Sequence, residues 1–399
     1  MSQRMPDPAP RRVRNTIISA DDHLVEPPDV FEERVERRFR GLAPRVVRDE
    51  KGLQVWEFEG RKYKYVGTDA AAGRVRTSVK YEPCDFDAMR PGCWNIDERI
   101  RDMDLNGIWA SLNFPSTVTG FCGSLFAAAS DPELGLACTR AWNDWHYEVL
   151  YRPHPDRIIP QSIPWLSDPV TGAKEIRRNA ERGFRAVSLP ERPHRLGLPN
   201  VYSGYWDPIV EACAETDTVI NLHVGSSGHQ ELPEGAPSLP LAATLFGQLS
   251  LTACAEWLWS GYPTRHPKLR FAMSEGGIGW VAMLIDRLDD LMTRSTYGRE
   301  WSDPELTPSQ RLRSSFWFCT IDDVSTLCTR DTIGIENIMV ESDYPHGDST
   351  WPDTQEHVAK LCAPLTPEET RRITHLNAAE LYRHPLPAPG DPLSGPHDG

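Results

Sequence analysis

Short apolar runs recur along the chain, each followed by a more polar stretch with helical spacing. The runs are Thr16–Ala20, Gly107–Phe114, Arg157–Ile163, Phe184–Leu189, Thr218–Val224, Leu269–Ser274, Phe316–Ile321 and Asn337–Val340. Most are too short for helices and several are rich in Val, Ile or Phe, so they read as strands buried on both faces. The intervening segments read as helices. Glu98–Asn106 places Ile100, Met103 and Asp104 at turn spacing and stops at Gly107; Ala173–Arg182 stops at Gly183; Asp207–Glu215 opens on Asp-Pro. Pro132–Tyr151 is long and aromatic, and Leu241–Trp259 is apolar on most faces, which predicts a buried helix. Gly279–Thr293, Asp323–Arg330 and Thr366–Tyr382 complete the alternation. Strands alternating with helices in this way predict a parallel (β/α)8 TIM barrel, distorted, over residues 16–384.

Two stretches break the alternation. Residues 32–95 form an insertion after the first strand. Within it Leu53–Phe58 and Arg61–Val66 flank Glu59-Gly60 and predict a β-hairpin, and the rest reads as irregular. An insertion there emerges on the catalytic face of a barrel, which predicts a lid or a subunit contact. Residues 385–399 are rich in Pro and Gly and predict a disordered tail. Residues 1–15 are polar and Pro-rich and lack the apolar core of a secretion signal, so they read as a flexible arm on a cytoplasmic protein.

Composition narrows the function. The net charge of −14, without a basic block, excludes general nucleic-acid binding. No apolar stretch is long enough for a membrane span. The nine cysteines are scattered with no Cys-x-x-Cys pair, so they read as reduced thiols rather than a disulfide framework or a Cys-rich zinc site. Gly276-Gly277-Ile278-Gly279 lacks the Gly-Lys-Ser/Thr of a phosphate loop, and no Gly-x-Ser-x-Gly elbow occurs. What remains is a soluble globular chain with ample material for one large core.

In such a barrel chemistry sits where strands end. Strand 1 ends in Asp21-Asp22-His23, and residues two apart face one side, so Asp21 and His23 both point into the mouth. Strand 5 ends at His223 and strand 8 at Asp343. Two carboxylates and two imidazoles from three strand ends suit one divalent metal ion, zinc first, with manganese or iron as alternatives. Around them lie further candidates for substrate binding or for orienting the ligands: Glu26, three residues after His23; Arg192, the first cation after strand 4; His229, in a Gly/Ser loop after strand 5; and His346, three residues beyond Asp343.

The segments ISADDHLVEPPDVF, GFRAVSLP, NLHVG, RHPKLRFAMSEGGIGW, IMVESDYPHGDSTWP and LNAAELYR carry a resemblance to a known family. The chain resembles the amidohydrolase superfamily, in the amidohydrolase-related branch with aminocarboxymuconate-semialdehyde decarboxylase and the resorcylate-type decarboxylases. The resemblance implies a barrel with one metal held by Asp21, His23, His223 and Asp343, and a homodimer. One position departs from it: the branch's decarboxylases carry a His at the end of strand 6, where this chain has Glu275. A carboxylate repels a substrate carboxylate but serves as a base for water. The expected activity is therefore hydrolysis of a C–N, C–O or activated C–C bond next to a carbonyl, by water activated at the metal. Asp343 and Glu275 would be the catalytic residues. Non-oxidative decarboxylation of an aromatic or unsaturated acid is the alternative, and a non-catalytic metal-binding barrel the second alternative.

Overall fold

The computed structural model describes residues 5–75, 82–228, 230–294 and 296–396. Its strands are β1 (Ile18–His23), β2 (Arg45–Arg48), β3 (Gln54–Phe58), β4 (Arg61–Tyr65), β5 (Ala110–Phe114), β6 (Ile158–Ile159), β7 (Gln161–Ser162), β8 (Ala186–Leu189), β9 (Val219–His223), β10 (Phe271–Ser274), β11 (Phe316–Thr320) and β12 (Ile338–Val340). β1, β5 and β6 pair in parallel, and β7 to β12 pair in parallel in chain order. β6 and β7 are halves of one strand parted at Pro160, which has no N–H to donate. The seam between β12 and β1 is closed by two main-chain bonds: Asp343 N–H donates to Asp21 O (3.0 Å) and His23 N–H to Tyr344 O (2.6 Å). Every predicted apolar run overlaps a barrel strand, and the parallel (β/α)8 barrel is the fold.

Strand alternation separates two apolar layers. Val187, Leu189, Ile220, Leu222, Phe271, Met273, Phe316 and Phe318 pack beneath the helices. The barrel interior is built from smaller residues, among them Ala20, Ala110, Ala186, Ala272 and Cys319. Small interior residues leave room for one large plug. Tyr382, at the end of the helix Asn377–Tyr382, fills it; the ring is fully buried and its hydroxyl donates to Asn221 Oδ1 (3.0 Å).

The helices depart from expectation in instructive places. The predicted helix Leu241–Trp259 is two helices, Ser238–Thr244 and Phe246–Trp259, bent by 47°. The first buries no residue, so its apolar composition does not report the core. No single described helix is long and apolar enough to cross a membrane. The helices Pro308–Ser315 and Thr354–Leu361 lie in segments to which the sequence reading assigned no element. In the insertion, β3 and β4 form the predicted hairpin, with Glu59 and Gly60 both at positive φ, as a two-residue type I′ turn requires. A third strand, β2, lies where the sequence read as irregular. It offers only Val46 and Val47 as apolar residues, and it is held at the sheet edge partly by the Arg45–Glu57 ion pair (2.6 Å).

Both terminal segments are docked in their described parts, against the expectation of flexibility and disorder. Arg11 N–H donates to Leu105 O, and Asp7 pairs with Arg90 and Arg101. At the other end Leu393 is buried, Gly395 N–H donates to Thr16 Oγ1, and Trp109 Nε1 donates to Pro385 O. Pro and Gly removed the helical and strand signals there, but not the backbone hydrogen bonds that hold an irregular segment.

The helix Pro132–Trp145 runs on into a π-helical stretch, His146–Tyr151. His146 is buried among Trp142, Trp145 and Phe184, and neither ring nitrogen has a partner. Burial pushes its pKa down to about 3. An unfolded imidazole near 6.5 takes up protons that the folded one refuses, so stability is full above about pH 6.5 and falls as pH drops towards 3. The slope is at most about 1.4 kcal/mol per pH unit. Denaturant unfolding at pH 7.5 and pH 5 should therefore show a smaller acid loss for His146→Leu than for the wild type, by about 2 kcal/mol. Equal losses in the two proteins would show that His146 does not carry this dependence.

Candidate metal centre

Three strand ends deliver the central group. β1 carries a register irregularity between Ser19 and Asp22 that takes in Asp21, and Asp21 and His23 are both fully buried at its end. His223 ends β9 opposite Ser274 of β10. Asp343 follows β12 with φ +53°, and Glu275 follows β10 with φ +59°. The left-handed region costs a residue such as Glu on the order of 1–3 kcal/mol, and here it turns two carboxylates back over the mouth. Glu341 Oε2 accepts from Glu275 N–H (3.2 Å) and so supports one of these turns.

The side chains converge. His23 Nε2 lies 3.4 Å from Asp21 Oδ1 and 3.4 Å from Asp343 Oδ1. His223 Nε2 lies 3.5 Å from Asp21 Oδ2, 3.2 Å from Glu275 Oε2 and 3.0 Å from His23 Nε2. His223 Nδ1 is 2.7 Å from Val224 O, and a carbonyl only accepts, so Nδ1 carries the proton and Nε2 presents a lone pair. Two imidazole nitrogens at 3.0 Å repel unless a proton or a cation lies between them. All four oxygens of Asp21 and Asp343 are buried without a hydrogen-bond donor.

Electrostatics point the same way. Burial, then the carboxylates of Glu341 and Asp343, holds Asp21 well above the usual carboxylate range. Burial and Asp343 do the same to Glu275, and burial and Asp348 to Asp343. Burial pushes Glu341 up to about 8 and His223 down to about 3, and burial with His346 holds His23 well below its ordinary value. Neutral imidazoles are the ligating form, and a cation among the carboxylates reverses their upward displacement. The donor set thus fits a divalent ion, with Asp21, His23 and His223 as one tight group and His23, Asp343 and His346 as an overlapping one.

Of the remaining predicted residues, His346 joins the centre. Its Nδ1 is 3.0 Å from Asp343 Oδ1, and its ring stacks on His23 at 3.8 Å. Glu26 does not touch a ligand. It accepts from Ser116 N–H, Ser116 Oγ and Trp142 Nε1, fixing the loop that follows β5. Arg192 turns away from the site into an ion pair with Glu256 at 2.6 Å, because that carboxylate lies within reach on the neighbouring helix. His229 lies outside the described residues. Asp348, Glu341 and Phe121 were not singled out in the sequence. Asp348 groups with Glu275, Asp343 and His346, and Phe121 packs its ring on both His23 and His223. Only Asp348 left a signal, two residues beyond His346 on the same loop.

Beside the centre is a narrow cleft with about 30 Å³ of free space. One wall is the insertion, through Trp56 and Tyr65 to Asp69; the other includes His23, Ser116, Thr117, Phe121 and His346.

The sequence profile described as amidohydrolase matches residues 83–384. The chain belongs to the amidohydrolase family. No curated protein matches it in sequence. Among solved structures, an amidohydrolase from Mycobacterium avium subsp. paratuberculosis is 23% identical, with TM-score 0.73 over 92% of this chain and 99% of that one. The 5-carboxyvanillate decarboxylase of Novosphingobium aromaticivorans, solved with manganese and 4-hydroxy-3-methoxy-5-nitrobenzoic acid, is 16% identical, with TM-score 0.63 over 96% and 100%. The 2,6-dihydroxybenzoate decarboxylase of Rhizobium is also 16% identical, with TM-score 0.61 over 92% and 99%.

A metal that binds this amidohydrolase only when folded stabilises it by mass action, about 4 kcal/mol at a thousandfold excess over Kd. Saturating Mn²⁺ or Zn²⁺ should raise the melting temperature of chelator-treated protein by several degrees. His223→Ala should abolish the rise while leaving the metal-free melt near that of the wild type. An equal rise in the variant would remove His223 from the ligand set.

Proposed function

We propose that this amidohydrolase is a metal-dependent hydrolase of a small molecule that is uncharged around its reacting carbonyl. The charge of the mouth carries the reading. Asp21, Glu275, Glu341 and Asp343 surround two ligand imidazoles, Asp348 adjoins them, and no Lys or Arg is among the described residues lining the cleft. A carboxylate brought to ~4 Å of another loses about 4 kcal/mol at an effective dielectric of 20.

Asp21, His23, His223 and Asp343 would hold the ion, with zinc, manganese or iron matching the N/O donors. When bound, such an ion polarises a carbonyl and makes water more acidic. Glu275 is placed to take the proton of the attacking water, 3.2 Å from His223 Nε2 at the edge of the donor group. Asp343, whose Oδ1 lies 3.0 Å from His346 Nδ1, would return a proton to the leaving group. The insertion would serve as the lid: Ala71 and Ala72 N–H both donate to Pro345 O, tying it to the loop that carries Asp343 and His346.

A second reading is decarboxylation. It is favoured by the two decarboxylases that share the fold, one of them solved with manganese. The two readings separate on products. A panel of neutral esters, lactones and amides, followed by incorporation of ¹⁸O from water, tests the first; CO2 release from hydroxylated benzoates tests the second.

Glu275→Gln keeps the side-chain shape and removes the proton acceptor. The hydrolysis rate should fall by ~10²–10⁴ with metal content near normal. Loss of metal together with activity would make Glu275 a ligand, and full activity with full metal would leave Asp343 as the sole base.

A further inference from the structure

His23 and His223 are held in different ways. The ring of His223 is oriented through its own second nitrogen, Nδ1, against Val224 O. His23 Nδ1 is buried with no hydrogen-bond partner. Ring contacts with Phe114, Phe121 and His346 limit its tilt, but none is a directional bond. The direction of its Cα–Cβ bond therefore depends on the peptide planes on either side. One plane is fixed by His23 N–H donating to Tyr344 O. The other is held from both sides, by Arg99, whose Nη2 donates to His23 O, and by Leu24 N–H donating to Phe114 O (3.2 Å).

Arg99 sits in the first turn of the helix Ile96–Asn106 and is 1% exposed. Its Nε donates to Gly92 O (2.8 Å) and its Nη1 to Asn113 Oδ1 (3.0 Å), and the guanidinium lies 4.2 Å over the Tyr344 ring. One planar cation thus joins the ligand strand β1, the neighbouring strand β5, the loop after β12 and the last turn of the insertion. Its donors meet neutral acceptors, and Asp22 supplies the nearby negative charge while spending its own lone pairs on Ser19, Ser111, Ser342 and Tyr344 N–H. The insertion contributes Gly92 at a point with no room for a side chain: a Cβ there would stand 2.2 Å from Asp102 Oδ2 and 2.7 Å from the Tyr344 hydroxyl. Next to it, Val25 N–H donates to Cys93 O (2.9 Å).

We propose that Arg99 is the positioning residue for His23, clamping the ligand strand to β5 and to the last turn of the insertion so that metal affinity depends on this clamp. This rests on the metal reading above. Lys in place of Arg reaches one of the three acceptors, and Met reaches none.

The test compares Mn²⁺ binding, by the EPR signal of free Mn²⁺, with thermal unfolding in wild type, Arg99→Met, Arg99→Lys and Arg90→Met. Arg90 is the control: it is buried, forms a bidentate pair with Asp102, and does not touch β1. Residues that orient a metal ligand are typically worth 10–100-fold in metal affinity. Arg99→Met should bind Mn²⁺ 10–100-fold more weakly with an altered spectrum of the bound ion. Arg99→Lys should lie between it and wild type. Arg90→Met should lose thermal stability yet bind within twofold of wild type. Where the Met variant fails to fold, a Lys variant bound at least fivefold more weakly supports the proposal. Mn²⁺ affinity within twofold of wild type in a folded Arg99 variant overturns it. A wild-type chain that binds none of Mn²⁺, Zn²⁺ or Fe²⁺ overturns the metal reading itself, a result distinct from unchanged affinity in the variant.

Discussion

The structure depends on how it handles carboxylates withdrawn from water at one end of the barrel. Asp21 and Asp22 are adjacent, equally deep and chemically identical, yet they are treated in opposite ways. Asp22 receives four donors, three hydroxyls and a main-chain N–H, and belongs to the scaffold. Asp21 receives none. Glu26 and Asp343 repeat the contrast, the first with three donors and the second with none. A buried carboxylate without donors costs several kcal/mol, so its persistence at two strand ends facing two neutral imidazoles is what marks Asp21 and Asp343 as candidate ligands.

The strained turns follow from the same constraint. Strands ending in ordinary extended backbone would send Glu275 and Asp343 onward into their loops. The positive φ at each sends them back over the mouth, and Glu341 beneath Glu275 makes the turn tenable. Stability is given up locally to concentrate acceptors where a divalent ion would find them. The insertion is seated on this arrangement through Gly92, Cys93 and the Pro345 carbonyl.

The barrel was legible because its signal is periodic and local: each strand carries an apolar run and each run is followed by a polar helix. The strand-end residues were legible for a related reason, since alternation fixes which of Asp21, Asp22 and His23 face inward. What escaped was set by partners distant in the chain. Glu26 three residues after His23 looks like support for that ligand, and only the fold brings Trp142 and Ser116 to it instead. Arg192 was read from its place after β8, but Glu256, 64 residues later, claims it. β2 failed to register because two valines between arginines carry no alternation beyond chance. The terminal segments failed because Pro and Gly report the lack of regular structure, which is different from the lack of contacts. Arg99 looked like one charge among many on a helix, and nothing local distinguishes a guanidinium that ends up buried.

The Tyr382 plug has a further consequence. With its hydroxyl on Asn221, two residues below His223, and the surrounding interior filled by apolar side chains, the barrel is closed at its base. Among the described residues, the cleft beneath the insertion is the opening that adjoins the centre, so an ion, a substrate and its product would share it. An ion seated behind an occupied cleft would be retained by kinetics as well as by affinity.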